Sequence, residues 1–591
     1  RALQLRPNYA EAYCNLGNAY RAAGQLRAAE SSYTAALQLA PDSAEVHNNL
    51  GSLMRDEHDL FAAQAHFQEA VRLNPQFADA WCNLAVVQSL NHAYDQAAGS
   101  YQAAIQLRPQ HVPTYLKLGA VLEMEGRYEA AGAAYEQAIA IEPQNPLHAL
   151  RLTSICPVVF AGRDAIESFR RVALETWRGL RHAAFPAGAA ATLVPPPFNM
   201  QFVDGNLRAL REAYAGIYEG RFAQPQLPPR AARPRIGFVV TYRHERIFLR
   251  SLSGVLNRLV LDRADYYLIC PQTLVATVRR EVRDEIRAMV VPDGFLEMVE
   301  AIREQAFDVL YYFEVGSDAT NYFLPFLRLA PVQCAAWGLQ LTSGIRHVDY
   351  YLSSALVEPS DAADHYSEQL LCADTLLTYQ TRIPRPEFPR ARARFGLSPR
   401  ENLYVCAQHV GKYHPDFDGL IGGILERDPD GVVVLTGDPH GHAGRRLQAR
   451  WQQSLPHVAS RIRLLPRQSA ADYWELIAAA DVLLDPPHFG GVNSTYDGLR
   501  LGKPIVTLPS PYHRGRYTLG CYHKMNLLDN VVADRNQYVR RAVSLGTERD
   551  LRREAEERIT AQAEVLFEDN AAVQAHDRLF ALLVEEARRR C

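Results

Sequence analysis

The residues with the most chemical potential lie between Asp485 and Lys524, above all Phe489-Gly490-Gly491-Val492-Asn493-Ser494-Thr495-Tyr496-Asp497. They follow an apolar run, Ala480 to Asp485, that reads as a buried strand. They lead into Tyr496 to Gly502, which reads as a short helix ending at a glycine. A strand, a Gly-Gly turn and a helix aim free backbone N–H groups at an anion. Gly490 and Gly491 let backbone approach such a ligand closely. Asn493, Ser494 and Thr495 stand at the helix start, as caps or as extra donors to phosphate oxygens. Asp497, one turn further in, can accept hydrogen bonds from a ribose diol. The same residues also suit an ordinary strand-to-helix turn with polar caps, because a Gly-Gly turn is a weak motif.

Three more sets fall at the ends of expected strands. In Val240-Thr241-Tyr242-Arg243-His244, the imidazole is a candidate general base or phosphate donor, the alternative being a structural loop histidine. In Gln408-His409-Val410-Gly411-Lys412-Tyr413-His414-Pro415, Lys412 is well placed to neutralise a diphosphate, the alternative being a solvated surface lysine. The stretch Leu339 to Arg346 contains Thr342-Ser343-Gly344, another turn able to hold a ligand.

These sets need a scaffold, and the pattern from Arg233 onward supplies one. Apolar strands are expected at Arg235–Val240, Asp265–Cys270, Asp308–Phe313, Val332–Trp337 and Val348–Leu352. A second series runs Leu403–Ala407, Val432–Thr436, Ile462–Leu465, Val482–Leu484 and Pro504–Leu508. Short apolar strands separated by helical stretches indicate parallel sheets. Two successive series indicate two doubly wound lobes, 233–395 and 396–591, with ligands at the carboxyl ends of their strands. Asp550 to Arg590 reads as a charged amphipathic helix that packs back across the lobes.

The first 150 residues repeat. Pro7, Pro41, Pro75, Pro109 and Pro143 are spaced by 34, and so are Leu16, Leu50, Leu84 and Leu118. Ala29, Ala63, Ala97 and Ala131 keep the step, as do Tyr33, Phe67, Tyr101 and Tyr135. This pattern resembles the tetratricopeptide repeat, whose helix pairs bury their apolar faces by stacking into a superhelix. Asn15, Asn49 and Asn83 recur just before the leucine of each first helix, with Lys117 in the fourth unit. A row of carboxamides can grip an extended acceptor peptide by its backbone, or else bond across adjacent repeats. Residues 151–232 read as a helical connecting region, Ala- and Pro-rich at 183–197 and 224–234, with no chemistry of its own.

Composition narrows the classes. A chain of 591 residues requires several domains. A net charge of -3 disfavours nucleic acid and anionic membrane surfaces. Nothing apolar is long enough to span a bilayer. Nine cysteines show neither CxxC pairing nor metal-ligand rhythm, so free thiols and a cytoplasmic setting are expected. The chain starts at Arg1, inside a repeat, and is expected to be part of a longer one.

Repeats followed by two lobes, with Gln408 to Pro415 and Phe489 to Asp497 in that order, resemble the O-GlcNAc transferase family, in particular its bacterial tetratricopeptide members. Pro331 to Gly338, Thr342 to Gly344, Val348 to Tyr350 and His365 to Leu370 look like that family's first lobe. The resemblance implies an all-α superhelix joined to two Rossmann-like lobes of GT-B type. It implies a glycosyltransferase that needs no metal or other cofactor. Such an enzyme moves a sugar, with inversion, from a nucleotide donor such as UDP-GlcNAc to a Ser or Thr of an acceptor protein. By that resemblance Lys412 holds the diphosphate, Ser494 binds phosphate beside Asn493, which stands where the family often has Thr, and Asp497 holds the ribose. His244 lies near the place of a first-lobe histidine, across a short gap, and His409 and Tyr473 join the donor site, Tyr473 against the base. Val492 departs from members with a histidine there. Relatives using another nucleotide sugar or an Asn acceptor, and a peptide-binding scaffold with inactive lobes, are the alternatives.

Overall fold

The computed structural model describes residues 2–185, 193–241, 244–382 and 392–590. Tyr242 and Arg243, part of the expected linker, and residues 383–391, just before the expected lobe boundary at 395/396, lie outside the described residues. The chain divides into two compact units: Arg1–Ile155 with Ala184–Pro186, and Cys156–Ala183 with Ala187–Cys591.

The first unit is a run of antiparallel helix pairs from Ala10–Ala22 to Tyr128–Ile141, followed by Pro146–Thr153. The 34-residue signature maps onto packing. Ala29, Ala63, Ala97 and Ala131 are fully buried, and the Tyr33, Phe67, Tyr101 and Tyr135 rings almost so. Small residues admit those rings: a Cβ on Gly51 would lie 2.8 Å from the Phe67 ring, and one on Gly119 only 2.3 Å from the Tyr135 ring. Burying such rings is the main favourable term in each pair.

The second unit holds two wholly parallel sheets. The first contains β1 (Arg235–Val239), β2 (Asp265–Pro271), β3 (Arg287–Val291), β4 (Val309–Tyr312), β5 (Val332–Ala336), β6 (Tyr350–Ser354) and β7 (Gln369–Ala373). Their order is β3-β2-β1-β4-β5-β6-β7. The second contains β8 (Asn402–Cys406), β9 (Gly431–Thr436), β10 (Ile462–Leu465), β11 (Val482–Leu484) and β12 (Ile505–Val506), in the order β10-β9-β8-β11-β12. Each sheet therefore reverses direction of winding once, between β1 and β4 and between β8 and β11. The crevice at such a reversal, beyond the strands' carboxyl ends, is where ligands bind in this class of fold.

All ten expected strands are present in core, and two more appear at the sheet edges, β3 and β7. Both are only half-buried, although each carries a short apolar run, Ala288–Val291 and Leu370–Ala373. The expected helical tail is two helices, Arg549–Gln562 and Asn570–Arg589. The second returns to the first lobe, where Phe580 packs on Phe238, Tyr266 and Tyr311. The connecting region is no passive linker. Helices Arg163–Leu180 and Arg208–Tyr218 pack together, and buried Arg211 donates to the carbonyls of Thr342 and Val315 in the first lobe.

Candidate functional site

Both winding reversals open onto one cleft of about 540 Å³. From the first lobe it takes His244, just past β1, Glu314, just past β4, and Trp337 and Gln340 beyond β5. From the second it takes Gln408, His409 and Lys412, past β8, and Phe489, Val492, Asn493, Ser494 and Asp497, past β11. Tyr473 completes that wall.

Lys412 sits in a single 3-10 turn, Val410–Lys412, closed by the His409 ring, whose Nδ1 accepts from Gly411 N–H at 3.1 Å. Its ammonium donates to Gln408 Oε1 at 2.9 Å and to the Gly490 carbonyl at 2.7 Å, and lies 4.5 Å from the centre of the Phe489 ring. Burial pushes its pKa down to about 8, against the attraction of Asp485. It is thus a largely desolvated cation at neutral pH, which an incoming anion would stabilise. His409 is stacked on Phe202 at 5.1 Å, and burial, with the nearby Lys412 charge, pushes its pKa down to about 4. It is a neutral ring whose Nε2–H is the available donor.

The Gly490-Gly491 turn differs from expectation. Gly490 N–H donates to the Arg514 carbonyl at 2.8 Å and Gly491 N–H to Asp485 Oδ1 at 2.7 Å, so neither is free for a ligand. The glycines serve close packing instead: a Cβ on Gly491 would lie 2.5 Å from Ser494 Oγ, and one on Gly490 would lie 2.8 Å from Asp485 Oδ2. Thr495 likewise turns inward, its hydroxyl donating to the Gly491 carbonyl and meeting Thr518 Oγ1 at 2.8 Å. Asn493 and Ser494 are the residues that face the cleft at the start of helix Asn493–Arg500.

Asp497 is buried, and burial raises its pKa against the pull of Arg250. Arg250, from the first lobe, donates to its Oδ1 at 2.6 Å, and the Tyr473 hydroxyl donates to Oδ2 at 3.3 Å. A carboxylate has about four acceptor positions, so room for a diol remains.

Thr342 and Ser343 are a correction. Both are buried and locked onto Glu368: Thr342 Oγ1 donates to its Oε2 at 2.6 Å, and Ser343 donates through N–H at 2.7 Å and through its hydroxyl. They shape the wall behind Gln340 and do not line the cleft, because a buried carboxylate takes every donor within reach. A second correction concerns the connecting region, whose Phe198, Gln201 and Phe202 line the cleft. Phe202 packs on Phe489 as well as on His409. The single 3-10 turn Phe198–Phe202 carries no periodic signal, so only its aromatic pair in a Pro-rich stretch marked it. Ile247, Arg250 and Glu314 were also not legible in the sequence.

In the repeat unit, Asn49 donates to Cys14 Sγ at 3.2 Å and Asn83 to Asn48 Oδ1 at 2.9 Å. Two of the three asparagines thus bond across adjacent repeats through Nδ2. Asn15 is exposed, and Asn49 and Asn83 are half-buried.

One group among the described residues brings metal-type donors together: Asp204, His414 and His488, mutually within 4.8 Å. His414 Nδ1 accepts the Asp416 N–H at 3.1 Å, which leaves the ring proton on Nε2, the nitrogen 3.7 Å from Asp204. Asp416 in turn binds His488, Arg163 and Arg535. The His414 and His488 rings, 4.5 Å apart, thus bring together the chain segments that also carry Lys412 and Gly490.

Comparison with known proteins follows the same outline. Tetratricopeptide repeat models match residues 10–43, 66–98 and 88–146. The SPINDLY protein of Arabidopsis thaliana, described as a probable UDP-N-acetylglucosamine–peptide N-acetylglucosaminyltransferase, is 24% identical over 259 residues, 43% of this chain and 28% of that protein. The Arabidopsis thaliana SEC protein, with the same description, is 26% identical over 190 residues, 31% of this chain and 19% of that protein. The chain thus matches less than a third of the length of these curated relatives. A solved mutant of the Thermobaculum terrenum O-GlcNAc transferase superposes with a TM-score of 0.67 at 18% identity, covering 93% of this chain and 98% of that one. This chain therefore shares its fold with that bacterial O-GlcNAc transferase: tetratricopeptide repeats precede two parallel-sheet lobes. No described helix is long and apolar enough to cross a membrane.

Proposed function

We propose that this chain is a protein O-glycosyltransferase, inverting and independent of metal. It transfers GlcNAc from UDP-GlcNAc to Ser or Thr of polypeptides held in part by the repeat unit. The observation that carries this reading is the meeting of Lys412, Asn493, Ser494 and Asp497 with first-lobe residues in one cleft at both winding reversals.

The chemistry follows from charge. When the sugar–phosphate bond breaks, the departing nucleoside diphosphate gains negative charge. Lys412 and the start of helix Asn493–Arg500 stabilise that charge where it develops, which is differential binding of the transition state. Asp497 and Tyr473 hold the ribose end. Phe202 and Phe489 give the other end an apolar wall. The likeness to relatives described as UDP-GlcNAc–peptide transferases supports the choice of donor.

Val492 presents an aliphatic side chain to the cleft, which leaves base recognition to Arg250 and Tyr473. That environment favours keeping other nucleotide sugars as a second reading. The test is calorimetry and thermal shift with UDP, GDP, CMP and their sugars, followed by transfer of labelled sugar to peptide pools. Binding of UDP and UDP-GlcNAc with label on Ser or Thr upholds the proposal. Binding of GDP or CMP alone keeps the enzyme class and changes the donor. Binding of none leaves a scaffold.

A further inference from the structure

His244 follows β1 and Glu314 follows β4, so the first lobe's winding reversal brings them together on the cleft wall. His244 Nδ1 lies 2.7 Å from Glu314 Oε2. Glu314 is only 5% exposed, and its other oxygen, Oε1, is buried without a hydrogen-bond partner among the described residues. This carboxylate therefore directs its charge at one group, the imidazole. In the neutral ring the bond places the proton on Nδ1 and the lone pair on Nε2.

Among the described residues, the groups around the ring leave Nε2 available. Asp318 Oδ2 is 3.9 Å away, beyond hydrogen-bond range. That oxygen already accepts from Thr241 Oγ1 at 2.6 Å, Asn321 Nδ2 at 2.9 Å and Ser317 Oγ at 3.2 Å. Glu245, next in sequence, adds only a weaker charge. Carboxylate, imidazole by Nδ1, and an unclaimed Nε2 facing a substrate cleft is the arrangement by which a hydroxyl is activated elsewhere on unrelated folds.

We propose that His244 and Glu314 form a base couple, in which Glu314 positions the ring through Nδ1 and His244 takes the acceptor hydroxyl's proton on Nε2. The couple deepens the transferase reading and rests on it. In the step, the acceptor O–H bond breaks and its proton passes to His244 Nε2. The oxygen's electron pair forms the new bond to the anomeric carbon. The bond from that carbon to the diphosphate oxygen breaks, and its electrons leave with the nucleotide. His244 is then the catalytic residue and Glu314 a positioning residue that stabilises the imidazolium. The environment agrees: burial opposes charge on His244, but the Glu314 bond and the charges of Glu314, Asp318 and Glu245 outweigh it and raise its pKa. Burial likewise raises the pKa of Glu314, against the pull of His244.

The test uses the full chain labelled with 13C-histidine, the His244 signal being assigned by its loss in His244→Asn. In wild type the ring should titrate above the ordinary 6.5. In Glu314→Gln the midpoint should fall by about one unit or more. The acid limb of the transfer rate should move to lower pH with it, while Glu314→Asp keeps an intermediate value. His244→Ala should cut transfer by roughly 10² to 10⁴ while UDP binding by calorimetry is retained. A His244 midpoint unmoved by Glu314→Gln, or wild-type transfer by His244→Ala, overturns the couple. If nucleotide still binds in those variants, only the base assignment falls. If wild type binds no nucleotide, the transferase reading falls and the base role with it.

Discussion

The Lys412 ammonium donates to the Gly490 carbonyl at 2.7 Å, which joins the loop after β8 to the loop after β11. The two loops leave adjacent strands at the winding reversal of the second lobe, so one side chain can span them. The lysine is therefore a brace in the free protein and a ready cation for a ligand.

Lys412→Met tests the second role. Removing one preorganised charge contact costs about 3 to 4 kcal/mol in the transition state, roughly 10² to 10³ in kcat. The fold should persist, because a buried cation is itself costly and methionine fills similar space. Circular dichroism and melting should match wild type while turnover and the UDP-induced rise in Tm disappear. A folded variant with wild-type turnover would exclude the diphosphate role.

Nucleotide affinity should depend on pH through the same group. The Lys412 pKa is pushed down to about 8, so the ammonium needed for binding is lost as pH rises past that value. The terminal phosphate is fully ionised above pH 7, with a second pKa of about 6, and adds no opposing trend. Calorimetry between pH 7 and 9.5 should show weakening of up to tenfold per unit and proton uptake on binding near pH 8. A flat profile would place another cation at the phosphates.

Asp497→Asn separates the two ends of the donor. The loss of charged hydrogen bonds to the ribose should weaken UDP by about 1.5 to 3 kcal/mol. Inorganic pyrophosphate, which has no ribose, should bind as in wild type. Equal loss for both ligands would mean that the substitution disturbs the Arg250 contact and the cleft as a whole.

Acid should destabilise the fold in a defined window. Burial pushes His409 and His576 down to about 4. Between pH 6.5 and 4 the unfolded chain binds protons at these rings and the native one does not, so stability falls as pH drops. His576→Leu should flatten part of that slope in urea titrations at pH 4.5 and 7.

In the repeat unit, Gly119→Ala places a Cβ 2.3 Å from a Tyr135 ring carbon. Overpacking of this kind costs roughly 1 to 3 kcal/mol. The third unit carries buried Ala85 at the equivalent position, in one core cluster with Tyr101, so relief by ring displacement is the competing outcome. Denaturant midpoints of the full chain decide between them.

Local pattern by itself determined much of this molecule. A 34-residue period requires stacked helix pairs, since one pair cannot bury its own apolar face. Apolar runs between helical stretches require parallel sheets, and from them came ten of the twelve strands and the placement of Lys412, Asn493, Ser494 and Asp497 at strand ends. Tertiary structure decided what depends on neighbours distant in sequence. Whether Gly490 and Gly491 N–H groups were free depended on Arg514 and Asp485. Whether Thr342 and Ser343 faced a ligand depended on Glu368. Phe202 reached the cleft only because its 3-10 turn packs against His409 and Phe489. Glu314 met His244 only because β1 and β4, seventy residues apart, are adjacent strands at a winding reversal. A hydrogen bond forms with whichever partner folding brings within about 3 Å, and sequence spacing alone does not encode that distance.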